Sequence, residues 1–203
     1  MIAIVDYDMG NVASVANMLK RVGATGAVLT RDPDVLRRAD KVILPGVGAF
    51  DKGMRNLAEF GLLEPLNEAA IERRVPILGI CLGMQLLTKS SEEGELKGLG
   101  WIDAETVRFR FPEGSALKVP HMGWNYVSPQ RENPLLKAGS RSRYYFVHAY
   151  YVTCNRKEDT IGTAAYGFEF ACAVNHDNVY GVQFHPEKSH RFGMALLDGF
   201  VGL

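Results

Sequence analysis

The first half of the chain alternates short, continuously apolar runs with segments whose apolar residues recur at helical spacing. A strand buried on both faces is apolar throughout, whereas a surface helix buries only one stripe, so this alternation predicts parallel strands joined by helices. The predicted strands span residues 2–5, 27–29, 41–44 and 76–80, and the predicted helices span residues 11–22, 51–60, 63–73 and 82–89. This order indicates an α/β fold with a doubly wound, mostly parallel sheet.

The second half of the chain has a different pattern. Residues 101–151 are rich in aromatic and β-branched side chains with turn signals between them, which favours mostly antiparallel strands. An apolar strand over residues 179–184 and a closing helix over residues 192–201 complete the prediction. Because no repeat or linker-like stretch divides the sequence, we expect residues 1–203 to form one domain with an additional antiparallel β layer.

Composition narrows the classes of function. The chain has 203 residues, of which 47% are hydrophobic, and its 23 Lys and Arg residues balance 23 Asp and Glu residues. This neutrality disfavours a binder of nucleic acid or of an anionic membrane, since both need a basic face. No apolar run approaches the roughly 20 residues of a membrane-spanning helix, and the N-terminus fits a strand better than a secretion signal. We therefore expect a soluble, cytoplasmic protein.

The three cysteines divide into one with a functional context and two without. Cys81 lies in a G-x-C-x-G segment between a predicted strand and a predicted helix, which is the form of a nucleophile elbow with Cys in place of Ser. Gly79 and Gly83 suit a turn too tight for side chains, and the helix N-terminus would stabilise a Cys81 thiolate by about 0.3–1 kcal/mol. Cys154 and Cys172 lie among strand-like residues and are expected to be structural. Because the cysteines are odd in number and share no CxxC spacing, neither a disulfide framework nor a structural zinc site is expected. We also expect no cofactor.

A cysteine nucleophile needs a base, and His185 is the strongest of the five histidines. It ends an apolar strand and precedes Pro186, which favours extended backbone, so that Glu187 would project to the same side and orient the ring. His121, His148, His176 and His190 have no acidic partner at a comparable spacing. A Cys–His–Glu set could cleave an ester, a peptide or a side-chain amide, and these residues alone leave that choice open.

A second strand end could complete such a site. Pro45-Gly46-Val47-Gly48 follows a predicted strand and offers flexible N–H groups for an oxyanion, alongside the N–H of Leu82. On spacing alone, the same segment fits an ordinary turn between strand and helix equally well.

Three segments together resemble the signatures of class I, triad-type glutamine amidotransferases: PGVGAF at residues 45–50, GICLGMQ at 79–85 and QFHPE at 183–187. Further segments narrow the resemblance to the glutaminase subunits of imidazole glycerol phosphate synthase. They are DYDMGN at residues 6–11, KGLGW at 97–101, PHMGWN at 120–125, YFVH at 145–148 and KS at 188–189. The resemblance spans nearly the whole chain in order and implies a flavodoxin-like sheet.

The resemblance implies that Cys81 attacks the carboxamide of L-glutamine and forms a thioester, with His185 as proton carrier and Glu187 as its orienting group. It also assigns an oxyanion hole and a substrate pocket. The oxyanion hole comprises Leu82, Val47 and Gly48. The substrate-binding positions are Gly48, Gln85, Glu93, His148, Ala149 and Tyr150.

The implied partner is a (β/α)8-barrel cyclase subunit, which forms a heterodimer with this chain and uses the ammonia to make imidazole glycerol phosphate and AICAR in histidine biosynthesis. Asn11, Trp124, Asn125 and Lys188 match partner-facing positions, and the resemblance implies that engagement of the partner reorients the loop at residues 46–48. Asp8 departs from a common Gly of the family and Ala149 from a common Ser or Thr.

Alternatives to this partner and this activity remain open. A related synthase that amidates a surface-polysaccharide sugar is one alternative, and the departure at Asp8, near the presumed partner surface, fits a different synthase. A stand-alone cysteine hydrolase and a catalytically silent regulatory module are the others. The complete Cys81, His185 and Glu187 set argues against silence, and the partner-facing segments argue against a stand-alone enzyme.

Overall fold

A computed structural model describes residues 1–137, 139 and 141–203 and contains twelve strands and six α-helices among them. In chain order the strands are β1 (Ile2–Val5), β2 (Ala27–Thr30), β3 (Lys41–Gly46), β4 (Ile77–Cys81), β5 (Ser90–Ser91), β6 (Ala104–Arg108), β7 (His121–Pro129), β8 (Ser142–His148), β9 (Tyr150–Cys154), β10 (Thr160–Tyr166), β11 (Phe168–His176) and β12 (Val179–Val182). The helices are α1 (Val12–Arg21), α2 (Pro33–Arg37), α3 (Phe50–Glu59), α4 (Leu63–Asn67), α5 (Leu82–Leu86) and α6 (His190–Val201).

Five parallel strands form the centre of the sheet in the order β2-β1-β3-β4-β12. Successive side chains of a strand point to opposite faces, and Ile2 and Ile4 accordingly pack into one core while Ala3 and Val5 pack into the other. Helices α1 and α6 cover the first face, and α2, α3, α4 and α5 cover the second. The predicted doubly wound sheet is confirmed. Because β4 and β12 are parallel neighbours, Cys81 at the end of β4 and His185 shortly after β12 lie at the same edge of the sheet.

The additional antiparallel layer is also present. It continues from β12 through β11, β10, β7 and β8, while β9 joins β11 to β6. Strand β10 has no counterpart in the sequence prediction, and β11 was anticipated only as the strand-like residues around Cys172. Within the buried part of β10, Gly162 and Ala164 have weak strand propensity and alternate with the strand formers Ile161 and Thr163. The local signal is therefore mixed, and the pairing with β11 identifies the strand.

Two predicted helices differ from the structure. Helix 82–89 ends at Leu86, because the Thr88 hydroxyl donates to the Gln85 carbonyl and the Lys89 N–H joins Ala104 of the β layer. Helix 63–73 is α-helical only over α4 and continues as a π-helix over Glu68–Glu72, in which Arg73 N–H reaches the Glu68 carbonyl. Apolar periodicity does not distinguish these two hydrogen-bond spacings. Among the described residues, no helix has the length and apolar character needed to cross a membrane.

Candidate active site

Cys81 lies at the turn between β4 and α5 in a strained backbone conformation. Its φ of 55° is unusual for a residue with a side chain. The flanking glycines are required by space: a Cβ on Gly83 would lie 1.8 Å from the Leu44 carbonyl oxygen, and a Cβ on Gly79 would lie 2.7 Å from the Gly83 carbonyl oxygen. The close approach predicted for both glycines is confirmed, and it fixes Cys81 at the carboxyl edge of the parallel strands.

His185 and Glu187 form a buried hydrogen-bonded pair. His185 Nδ1 and Glu187 Oε1 are 2.7 Å apart, and the two side chains are 1% and 3% exposed. His185 has the extended backbone expected before proline. Glu187, however, lies in a 3₁₀ turn over Pro186–Lys188. The predicted contact is therefore right, but its expected origin in a continuous extended segment is wrong: the turn directs Glu187 to the ring.

The neighbours of His185 favour its charged form. Burial by itself would lower the pKa of this imidazole, but the interactions with Cys81 and then with Glu187 outweigh that effect and raise the pKa well above its usual value. Because the Glu187 carboxylate only accepts, Nδ1 carries a proton. Nε2 is buried and has no hydrogen bond of regular geometry within the described part of the chain. The Cys81 sulfur and the Glu187 carboxylate therefore both favour the charged form of the His185 ring.

The antiparallel layer holds His185 in place. The His185 N–H donates to the Tyr145 carbonyl at 2.9 Å, and the Ser189 hydroxyl donates to the His185 carbonyl at 2.6 Å. Ser189 Oγ in turn accepts from the Tyr145 N–H at 3.0 Å. Strand β8 therefore positions the histidine that follows β12. The sequence analysis assigned no role to Ser189, since a Ser four residues after a His carries no distinctive signal.

A cavity of about 210 Å³ opens beside Cys81. Every predicted oxyanion and substrate position borders it: Val47, Gly48, Leu82, Gln85, Glu93, His148, Ala149 and Tyr150. Pro120 and Val147 also line it, and sequence reasoning did not single out either of them. The structure thus brings the loop after β3, the elbow and the junction of β8 with β9 to one cavity.

Two buried glutamines connect the cavity wall to Cys81. Gln85 Nε2 donates to Gln183 Oε1 at 3.1 Å and lies 3.5 Å from the Tyr150 carbonyl oxygen. Gln183 Nε2 lies 3.7 Å from Cys81 Sγ. Gln183 was part of a quoted motif but received no role. The signal that the sequence offers is an amide directly after the apolar residues of β12 and two residues before His185, and the structure buries this amide fully.

Glu93 links the cavity to the loop after β3. Its Oε2 accepts from the N–H of Phe50, the first residue of α3, at 2.9 Å. Gly46 is in register with Cys81 across β3 and β4, so the loop from Gly46 to Gly48 begins beside Cys81. Glu93 is exposed and accessible to a ligand.

The four predicted partner-facing residues lie at the surface but do not share one face. Trp124 is 42% exposed and stacks on His190, with ring centroids 5.7 Å apart. Lys188 Nζ is 5.8 Å from the centroid of the Tyr145 ring. Asn11 is exposed at the start of α1, where its side chain accepts from the Ser14 N–H. Asn125 points to the opposite side of β7 from Trp124 and donates to the Ala165 carbonyl at 2.8 Å.

Neither Cys154 nor Cys172 lines the cavity beside Cys81. Burial raises the pKa of both Cys172, which is fully buried, and Cys154, which is half-buried. A raised pKa keeps a thiol protonated and unreactive, in line with the structural role expected for both. Across the described residues, no cluster of three metal-ligating side chains occurs.

Comparisons with known proteins agree with this geometry. The profile of the class-I glutamine amidotransferase family matches residues 3–201. The imidazole glycerol phosphate synthase subunit HisH 2 of Methanococcus maripaludis is 54% identical over 99% of this chain and 98% of its own length. The subunit of the same name from Pseudomonas aeruginosa is 52% identical over the full length of both chains.

Solved structures establish the fold independently. A glutamine amidotransferase structure superposes with a TM-score of 0.73 over the whole of both chains, at 19% identity. PurLQS from Thermotoga maritima gives a TM-score of 0.72 over 99% of this chain and 97% of the matched one, also at 19% identity. From its cysteine elbow, its buried His–Glu pair and its full-length relatives, the chain belongs to the class-I glutamine amidotransferases and, within them, to the HisH subunits of imidazole glycerol phosphate synthase.

Proposed function

We propose that the chain hydrolyses L-glutamine to glutamate and ammonia and delivers the ammonia to a cyclase subunit. The observation that carries this proposal is the interaction of Cys81, which lines the cavity, with the buried His185–Glu187 pair behind it. The cavity wall also offers an amide group from Gln85 and a carboxylate group from Glu93. We further propose that the whole chain acts as one amidotransferase domain. A cytoplasmic location suits it, because the reaction needs Cys81 as a free thiol, and all three cysteines are free.

The reaction follows from the charge arrangement. The Cys81 thiolate attacks the side-chain carbonyl carbon of glutamine and forms a tetrahedral oxyanion. The imidazolium of His185 gives its Nε2 proton to the amide nitrogen, the C–N bond breaks, and ammonia leaves a glutamyl thioester. The now neutral His185 takes a proton from water, whose oxygen attacks the thioester and releases glutamate and the thiolate. Glu187 holds the Nδ1–H and stabilises the charged ring at each stage.

The cavity supplies groups for the two ends of glutamine. Glu93 is a suitable partner for the substrate ammonium group, and Gln85 with the backbone of residues 148–150 is suited to polar contacts along the substrate. The N–H of Leu82 and an N–H from Val47 or Gly48 would hold the oxyanion. Gly48 has a φ of 122°, so the loop can adopt conformations closed to other residues, and its reorientation on partner binding would make turnover conditional.

The partner surface that we propose adjoins the triad. Met122, Trp124 and Tyr126 project from one face of β7 and are 62%, 42% and 51% exposed. The guanidinium carbon of Arg143 lies 5.3 Å from the centroid of the Trp124 ring. Tyr145 lies opposite Trp124 on β8 and forms an isolated β-bridge with His185. Exposed aromatic and Arg side chains are enriched at protein interfaces. A (β/α)8 cyclase docked on this face, with Asn11 and Lys188 at the contact, would receive ammonia close to its source and form imidazole glycerol phosphate and AICAR. Asn125 points to the other side of β7 and would lie outside this contact.

The decisive experiment measures glutamine turnover by the isolated chain, by the chain with its cyclase, and by that complex with the cyclase's ribulosyl phosphate ligand. We expect weak turnover alone and a strong rise in the full complex. Cys81→Ser in the same complex should abolish turnover while glutamine still binds by calorimetry. Full activity without a partner would refute conditional control, and activation by a sugar-amidating synthase instead of the cyclase would reassign the pathway.

A further inference from the structure

His121 and His148 form a buried pair beside the cavity, outside the triad. His121 Nδ1 lies 2.9 Å from His148 Nε2, and His148 Nδ1 lies 2.7 Å from the carbonyl oxygen of Tyr150. At the other end, Asn125 Nδ2 lies 3.3 Å from His121 Nε2. The two rings are 3% and 5% exposed. A continuous chain of hydrogen bonds therefore leads from half-buried Asn125 to the cavity wall at Tyr150.

The partners at the two ends fix every proton in this chain. A carbonyl oxygen only accepts, so His148 Nδ1 carries hydrogen and the neutral ring accepts at Nε2. His121 must then donate from Nδ1 and accept at Nε2, where the Asn125 amide supplies a hydrogen. The second hydrogen of that amide goes to the Ala165 carbonyl at 2.8 Å. Donors and acceptors match throughout only when both histidines are neutral and both are Nδ1–H tautomers.

The surroundings of the pair support the neutral state. Aromatic rings enclose it: Phe109, Phe146, Tyr166 and Phe170. Burial lowers the pKa of His121 to about 4, and burial together with the nearby His121 and His185 lowers the pKa of His148 to about 3. An added proton on either ring would place two N–H groups against each other.

The relay ends where the cavity wall bends. Residues 148–150 join β8 to β9, which pair with different strands, and His148 bridges this bend by bonding to the carbonyl two residues ahead. The same Tyr150 carbonyl lies next to Gln85, whose amide leads through Gln183 to Cys81. The bend is therefore the point at which the relay meets the groups proposed to hold glutamine.

We propose that His121 is a positioning residue for glutamine, acting through a tautomer-locked relay from Asn125 through His148 to the Tyr150 carbonyl. The inference rests on the proposed glutaminase function and adds to it a specific source of pocket geometry. His121 does not itself touch the reacting atoms.

The first test measures the protonation of the two histidines and needs no measurement of glutamine turnover. In ¹⁵N-correlated NMR spectra of the wild-type full chain, we expect both histidines as neutral Nδ1–H tautomers from pH 5 to pH 8, with His121→Gln used to assign the signals. An Nε2–H tautomer in either ring, or titration near pH 6.5, would overturn the proposal. This result does not depend on glutamine turnover, so a failure of the proposed function would be seen separately, as absent turnover by the wild-type complex.

The second test uses a matched pair of variants in the complex with the cyclase. His121→Phe keeps the aromatic packing but removes both ring nitrogens, and His121→Gln restores one donor and one acceptor. We expect His121→Phe to raise the glutamine KM by about 2- to 10-fold, the effect of one lost hydrogen bond, with a smaller change in kcat. His121→Gln should bring KM back within about twofold of the wild type. An unchanged KM in His121→Phe, or an equal rise of KM in folded His121→Phe and His121→Gln, would show that His121 contributes only packing. If His121→Phe does not fold, the NMR result decides.

Discussion

Strand β8 runs past two buried histidine sites with opposite charge preferences. His185 is bridged to Tyr145 in the middle of the strand, and His148 ends the strand in contact with His121. The exposures are nearly the same, at 1% for His185 and 3% and 5% for the pair. Nevertheless the pKa of His185 is raised, whereas those of His121 and His148 are lowered to about 4 and about 3.

The difference lies in the neighbours. Desolvation disfavours the charged ring at both sites, but His185 faces the Glu187 carboxylate and the Cys81 sulfur, which stabilise a positive charge. His121 and His148 face each other, an amide and a carbonyl, with aromatic rings around them. Depth of burial therefore does not separate a proton carrier from a neutral hydrogen-bond relay in this protein. The charge of the hydrogen-bond partner does.

The largest expected effect comes from removing the carboxylate at the first site. Glu187→Gln keeps the size of the side chain but removes its charge, so His185 would lose the partner that stabilises imidazolium and fixes its tautomer. We expect the kcat for glutamine in the cyclase complex to fall by about 10³- to 10⁴-fold. Steady-state kinetics measure this, with the exposed Glu158→Gln as the control for loss of a carboxylate. A fall in kcat of less than tenfold would mean that the Glu187 carboxylate is not what makes His185 differ from His121 and His148.

The sequence predicts the site around His185 much more completely than the pair of His121 and His148. Cys81, His185 and Glu187 could be predicted because a G-x-C-x-G turn and a His-Pro-Glu segment are local patterns, and parallel strands bring their carboxyl ends together. His121 and His148 are 27 positions apart and meet only because β7 pairs with β8 in one register. Histidine pairing across antiparallel strands leaves no local spacing to find.

The same limit applies to the fold. The parallel core follows from strongly apolar strands such as β1 and β4, which were predicted to within a residue. Strand β10 was not predicted, because Gly162 and Ala164 have weak strand propensity. The hydrogen-bonded pairing with β11 makes this segment a strand. The contact of Gln183 with Cys81 likewise depends on β12 lying beside β4, a tertiary arrangement.

The loss of folding stability below pH 6.5 should report on the second site, the pair of His121 and His148. A histidine whose folded pKa is depressed binds fewer protons in the folded state than in the unfolded one, so its stabilising contribution is present above pH 6.5 and is lost as pH falls toward about 4. Between pH 6.5 and pH 5.5 we expect a loss of about 1 kcal/mol in the free energy of unfolding for each of His121 and His148. His185 has a raised pKa, so its contribution is complete below pH 6.5 and is lost only at higher pH.

Urea unfolding at these two pH values measures the effect. His121→Gln removes one of the two depressed groups and should roughly halve this part of the pH dependence. The comparison between the sites would fail if the variant and the wild type lost stability equally, since the acid sensitivity would then come from other groups.

The smallest expected effect comes from giving the second site the kind of neighbour that the first one has. Asn125→Asp would place a carboxylate next to His121 Nε2, which accepts a hydrogen from the Asn125 amide in the wild type. A proton on Nε2 would then have an acceptor, while His121 Nδ1–H would still donate to His148, so the rest of the relay tolerates this one charge. We expect the pKa of His121 to rise from about 4 toward 6.5, by less than at His185 because residue 125 is only half-buried and solvent screens its charge.

An NMR titration of His121 in Asn125→Asp, with Asn125→Ala as its matched control, separates charge from the loss of a donor. Asn125→Ala also removes the hydrogen bond to Nε2 but supplies no carboxylate, so His121 should remain neutral down to low pH in that variant. Equal titration curves in the two variants would show that the aromatic enclosure, and not the partner at Nε2, sets the charge of His121. A rise confined to Asn125→Asp would show that one atom of a neighbouring side chain decides whether a buried histidine beside β8 carries charge or relays a hydrogen bond.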